Sequence, residues 1–170
     1  MLTAVCEQVL PALTEVGYDA CTTASNHTLD QGTDGLRRTL DGLDAAGLAH
    51  TGSYRSAADA AAPTVIDTGH GRVGVISVTY GFNTGPPEQP WQVNLLDIDA
   101  VLAAARAART AGADLVLVAV HAGTEYDTEP NSDQRAAAQA LLACPDIDLV
   151  YGHHAHVVQP LQQINGKWVI

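Results

Sequence analysis

The chain has 170 residues, 46% of them hydrophobic and 5% aromatic, which fits one α/β domain long enough to bury a core. Its formal net charge is −11 and its eight Lys and Arg form no stripe, which excludes nucleic acid and an anionic membrane surface as direct partners. No run reaches the roughly eighteen apolar residues of a membrane span, so no direct membrane insertion is expected, and no signal peptide is visible after Met1.

In chain order, Val5, Val9, Leu13 and Val16 recur at helical spacing, with Gly17 placed to end that helix. A short strand is expected around Tyr18 to Ala24, followed by a loop carrying Ser25, Asn26 and His27. The next helix is predicted from about Gly32 to Ala46, with Leu36, Leu40 and Leu43 on one face and Gly47 as its cap. Residues 64–68 and 72–79 read as strands joined at His70-Gly71 into a hairpin. Residues 80–94, rich in proline and glycine, read as a long ordered loop of the kind that often carries function. A helix is predicted from about Ile98 to Ala111, with Ile98, Val101, Leu102 and Ala105 inward. The run 114–120 is apolar on both faces, as a buried strand should be. A helix over about Ser132 to Ala143 and a short strand over Asp148 to Tyr151 follow. The last elements read as a hairpin, 157–164 and 167–170, around an Asn165-Gly166 turn. Its second strand stops at the final residue. Cys6, Cys21 and Cys144 form no CxxC pair, and an odd count argues against a disulfide framework, so they are expected as small buried residues.

The chemistry gathers on histidine. Seven are present, and five fall in three segments: Ser25-Asn26-His27, Val120-His121-Ala122-Gly123 and Gly152-His153-His154-Ala155-His156. Each segment directly follows a predicted strand. In open α/β sheets ligand sites gather at the carboxyl ends of the strands, so three parallel strands in one sheet would bring these side chains together. Imidazole at this density suits a borderline divalent metal such as Zn, Mn, Fe or Ni. His154 and His156, two apart in extended backbone, would point to the same side and share a site. His121 can add a third nitrogen and the Asn26 side-chain oxygen a harder ligand. His50 and His70, outside these segments, are read as surface or satisfied core residues.

These segments resemble those of a known family. Ala24-Ser25-Asn26-His27-Thr28-Leu29-Asp30-Gln31-Gly32 is similar to the CapA signature A-N-N-H-x-x-D-x-G. His121-Ala122-Gly123-Thr124-Glu125-Tyr126 resembles H-W-G-x-E-Y, and Gly152-His153-His154-Ala155-His156-Val157-Val158-Gln159-Pro160 resembles G-[HS]-H-P-H-V-x-Q-P. Order and spacing agree over nearly the whole chain. The resemblance implies the calcineurin-like metallophosphoesterase superfamily and its αββα sandwich of mixed sheets. It also implies divalent metal ions (Mn, Zn or Fe), two in the full-length protein, that position phosphate and activate a bridging water. By the same resemblance Asn26, His121, His154 and His156 are metal ligands. His27 is the catalytic acid or a phosphoryl contact, and Asp30 orients it. Glu125 and Tyr126 would line the site, and the family tolerates serine at His153.

Ala122 stands where the family has Trp and Ala155 where it has Pro. The family's N-terminal Gly-Asp strand, its Asn-Leu-Glu segment and its final Leu-Gly-Asn-Phe run are absent. Residues 1–170 are therefore expected to form a partial CapA-type domain truncated at both ends, weak or silent in two-metal binding by itself. The implied role is capsule or poly-γ-glutamate biosynthesis beside that synthesis machinery, at the cell envelope in a membrane-anchored or exported protein. Two other readings stay open: a non-catalytic envelope component that binds polymer, and a small-molecule metallophosphatase unrelated to capsule.

Overall fold

A computed structural model describes residues 6–170. Helix α1 (Cys6–Glu15) and strand β1 (Ala20–Thr22) are followed by α2 (Gly32–Ala45), β2 (Ala49–Thr51) and α3 (Ala57–Ala61). Then come β3 (Val65–Asp67), β4 (Arg72–Thr79), α4 (Ile98–Thr110), β5 (Leu115–His121), α5 (Ser132–Leu142), β6 (Leu149–His153), β7 (Gln162–Ile164) and β8 (Lys167–Val169). Strand β2 and helix α3 have no counterpart in the sequence reading, being only 3 and 5 residues long. Val5 lies outside the described residues.

Local chemistry sets most of these limits. Gly17, at φ 92°, ends α1 in the left-handed region that glycine enters freely. Gly47 does the same after α2. The Asp97 carboxylate accepts from the Ala100 N–H at the start of α4. Asn131 and Gln134 form a reciprocal capping box at the start of α5. The inward face of α1 is Leu10 and Leu13, while Val9 and Val16 are exposed, so the helix is rotated from the face its valines suggested. Leu36, Leu40 and Leu43 are buried on α2, as their spacing predicts.

Six strands form one mixed sheet in the order β3-β4-β5-β6-β8-β7. Its centre, β4-β5-β6-β8, is parallel, and antiparallel β3 and β7 close the two edges as hairpin partners. Asn165 and Gly166, at φ 53° and 76°, make the tight turn between β7 and β8. Helices α4 and α5 pack on this sheet, and a core of Val101, Ala105, Ala108, Val116, Val118, Leu141, Leu142 and Ile147 fills the space between.

The sheet reading needs one correction. β1 does not join β5 and β6; it pairs in parallel with β2 in a separate two-stranded sheet, Ala20 opposite Ala49. That small sheet meets β4 through β2 and is backed by α2, which packs on α1. The layers therefore run helix, sheet, sheet, helix, as an αββα sandwich requires, with the second sheet reduced to two parallel strands. A second core of Leu10, Leu29, Leu36, Leu40, Leu43, Leu48 and Val93 lies on this side.

Between the sheets the packing is polar. Thr51, Ser53, Ser77 and Thr79 are buried there. Ser53 Oγ donates to Thr23 Oγ1 at 2.8 Å, and the Ala24 N–H donates to Ser77 Oγ at 3.3 Å. Each buried hydroxyl so engaged avoids the cost of an orphaned polar group. The loop after β4 is stapled into the same layer: the Thr79 N–H donates to Asn94 O, and the Asn94 N–H to Gly52 O. Cys21 and Cys144 are free and only partly buried, and burial raises the Cys21 pKa.

Candidate metal centre

The carboxyl ends of the central strands meet in register. Thr79 of β4 is opposite His121 of β5, which is opposite His153 of β6. Backbone pairing alone thus sets two of the five motif histidines side by side, their rings 6.4 Å apart and stacked. The chain then leaves the sheet. His154 and His156 adopt φ of 89° and 58°, so they are not in extended backbone, and strand alternation is not what aligns them. A tight left-handed path with Ala155 buried between them brings the His154 ring beside His121 at the end of β5, with His156 next to it on the exposed side. His154 comes to 4.9 Å from His121 and 6.2 Å from His156, centroid to centroid.

Asn26 and His27 arrive from the other sheet. Asn26 is 3% exposed, and its Oδ1 lies 2.8 Å from His121 Nε2. Its Nδ2 donates to Asn83 Oδ1 at 3.0 Å, which fixes the amide with its oxygen toward His121. Without an ion, the His121 tautomer that satisfies this pair carries its proton on Nε2, and a cation ligated there would displace it. His27 Nδ1 lies 2.6 Å from Asp30 Oδ2, and Asn83 Nδ2 comes within 3.4 Å of His27 Nε2. A continuous polar chain, His121–Asn26–Asn83–His27–Asp30, therefore crosses between the layers.

Asn83 carries no signal of its own in the sequence: its loop is of the kind that often carries function, but nothing in Gly81-Phe82-Asn83-Thr84 distinguishes it from an ordinary turn. Tyr80, at the mouth of the same loop, sits with its ring 4.9 Å from His154. Glu125 and Tyr126 lie beside His156. Tyr126 stacks 5.7 Å from His156, and Glu125 Oε1 is 3.8 Å from His156 Nε2. His153 packs edge-on against Tyr151 at 5.1 Å. Of the two set-aside histidines, His70 is exposed; His50 meets Asp44 through Nε2 at 3.1 Å but leaves a buried Nδ1 without a partner.

Burial, joined by repulsion from His154, His153, His27 and His156, pushes the His121 pKa down from 6.5 to about 4. Burial also lowers His153 and, with its neighbouring histidines, His154, although Glu125 pulls His154 the other way. At neutral pH His121 is a neutral imidazole, and His153 and His154 are biased the same way, which is the form that gives a lone pair to a cation.

The donor set fits a divalent ion. Two cis ligands at metal bonds of about 2.1 Å sit about 3 Å apart, close to the observed 2.8 Å between Asn26 Oδ1 and His121 Nε2. Glu125, His154 and His156 each bring a ligand atom within 4.8 Å of the others. Nitrogen donors with a few oxygens select the borderline first-row metals over Mg or Ca.

Residues 3–170 match the family described as bacterial capsule synthesis protein PGA_cap. The capsule biosynthesis protein CapA of Bacillus anthracis is 30% identical over 159 residues, covering 90% of this chain and 38% of that protein. The PGA biosynthesis protein CapA of Bacillus subtilis is 28% identical over 165 residues, covering 94% and 42%. A probable polyglutamine synthesis accessory protein of Mycobacterium tuberculosis is 27% identical over 173 residues, covering 95% and 45%. The chain thus spans under half the length of these curated relatives. Among solved structures, the calcineurin-like phosphoesterase YfkN of Bacillus subtilis superposes with TM-score 0.58 at 16% identity, covering 98% of this chain and 66% of that one. The sulfate thiohydrolase SoxB of Thermus thermophilus does so with TM-score 0.62 at 18% identity, covering 96% and 29%. At these identities the likeness is one of fold.

Proposed function

Because the chain belongs to the bacterial capsule synthesis protein PGA_cap family, we propose that it serves capsule or poly-γ-glutamate biosynthesis through a metal-dependent, phosphoesterase-like site. One observation carries this reading. Asn26, His121 and His154 reach one place from three separate stretches of backbone, with the Asn26 oxygen and His121 nitrogen at ligand spacing.

In this reading Asn26, His121, His154 and His156 hold divalent ions (Mn, Zn or Fe), two of them in the full-length protein. Bound there, such an ion supplies Lewis-acid polarisation of a phosphoryl oxygen and an acidified water. The chain's own groups do the rest. Asn83 orients the Asn26 amide, so its oxygen rather than its nitrogen faces the centre. His27 Nδ1 pairs with Asp30 at 2.6 Å, which orients the ring and presents Nε2 to a leaving oxygen. Tyr80 flanks His154 and Tyr126 flanks His156 on the exposed side of the site.

Capsule or polyglutamate synthesis machinery is the partner this assigns, and the cell envelope is its place. The described residues contain no helix long and apolar enough to cross a membrane. Envelope association would be read by cell fractionation.

The test is turnover of p-nitrophenyl phosphate by the full-length protein with added Mn2+ or Zn2+. Activity should need the metal and fall by about a hundredfold or more in His121→Ala and His154→Ala, the scale expected when a metal ligand is removed. No turnover with any divalent ion, or turnover unchanged in both variants, overturns the enzymatic reading and leaves polymer binding without catalysis.

A further inference from the structure

We propose that Glu125, His154 and His156 form a three-ligand site for one borderline divalent ion of the Zn2+ class, with Glu125 as its carboxylate. The inference deepens the reading above and rests on it for the roles of His154 and His156. Glu125 brings something new: a negatively charged ligand inside a centre otherwise built from neutral imidazoles and an amide.

The geometry points there in three ways. The three ligand atoms lie within 4.8 Å of one another, and Glu125 Oε1 to His156 Nε2 is 3.8 Å. Ligands around a tetrahedral ion with bonds of about 2.1 Å are about 3.4 Å apart, so closure needs side-chain rotation of roughly 1 Å. Glu125 and His156 are about half exposed, so that rotation is free of core packing.

The separation is also wrong for the bland alternative. A carboxylate and an imidazole that simply pair do so as His27 and Asp30 do, at 2.6 Å. At 3.8 Å the Glu125–His156 pair is no hydrogen bond, and an exposed ion pair of that length contributes little to stability. It is the spacing of two groups with room for a third party between them.

Finally, the backbone holds these residues together at a cost. Tyr126, His154 and His156 all have positive φ, at 63°, 89° and 58°, which non-glycine residues rarely adopt. One hydrogen bond locks the two loops in this register, from the Tyr126 N–H to Ala155 O at 2.7 Å. Gln159 extends the lock, donating to Asp127 O at 2.9 Å and accepting from Gln134 Nε2 at 2.9 Å. The lock sets Glu125 opposite His156 without either side chain holding the other. Their exposed flank leaves the remaining coordination positions to water.

The test is titration of the EDTA-stripped chain with CoCl2, read by calorimetry and by the visible Co2+ bands. Wild type should bind with an intensified visible spectrum. Glu125→Gln, isosteric and exposed, should weaken binding at least about tenfold and shift the bands, with an unchanged thermal melt. Glu129→Gln, a carboxylate in the same loop paired with Arg135, should bind as wild type does. No Co2+ binding by wild type, or equal binding by wild type and Glu125→Gln, overturns the site. Binding lost in His121→Gln and His154→Ala but kept in Glu125→Gln sinks this proposal while sparing the metallophosphoesterase reading. Binding lost in Glu125→Gln, with no phosphate turnover by the full-length protein, does the reverse.

Discussion

At His121 two demands meet on one ring. Its Nε2 hydrogen-bonds the buried Asn26 oxygen, while burial first and the neighbouring imidazoles second disfavour its charged form. The linkage sign follows. A base whose folded pKa is about 4 against 6.5 unfolded binds fewer protons in the native state between those values. Stability is then full above pH 6.5 and lost as pH falls toward 4. His153 and His154, also lowered, add in the same direction. Calorimetric melts in EDTA should show Tm falling across that window. His121→Gln, which cannot titrate, should flatten the fall; a variant as pH-sensitive as wild type would contradict the assignment.

Among the elements, the approach of β2 to β4 depends on Gly52. Its φ is 111°, and a Cβ there would lie 2.7 Å from both Ala24 N and Ser77 Oγ. The crowded atoms are those that carry β1 onto the sheet and place Asn26 beside His121. Gly52→Ala should therefore destabilise by about 1–3 kcal/mol, the usual cost of a non-glycine residue in such backbone, and should weaken metal binding as well. Thermal unfolding and the Co2+ titration read the two effects. A variant with unchanged Tm would show that the inter-sheet contact is slack. Arg109 does comparable work at the far ends of the strands. It bonds Asp146 O, Ala113 O and Asp148 Oδ2, so the end of α4 sets where β5 and β6 begin.

Across the whole molecule, the centre is a joint between layers. Asn26 and His27 belong to the small sheet's side, with Leu29 and α2; His121, His153, His154 and His156 belong to the large sheet. An ion ligated from both sides would bind the folded state and not the unfolded chain. At a free concentration a hundredfold above its Kd it would add about 2.7 kcal/mol. Zn2+ or Co2+ should accordingly raise Tm, and EDTA should reverse the rise. An unchanged Tm at saturating metal would mean that no ion binds the folded state in preference to the unfolded chain. The formal charge of −11 favours cation capture of this kind and opposes an anionic polymer resting directly on the surface.

The sequence by itself determined the periodic elements and the family. Leu36, Leu40 and Leu43 mark a buried helical face because helical spacing is local, and the Asn165-Gly166 turn is a local conformational preference. Three spaced histidine segments marked the residues to watch, since chemistry resides in side-chain type. Tertiary structure alone decided the rest. That β1 leaves the main sheet for β2 depends on a partner strand of 3 residues, too short to carry a pattern. That His154 and His156 sit side by side on left-handed backbone depends on a bond from Tyr126 to Ala155, 29 residues away along the chain. Asn83 joins the centre only because its amide meets that of Asn26, 57 residues away. Contacts between distant segments leave no period in the sequence, so only the folded chain reveals them.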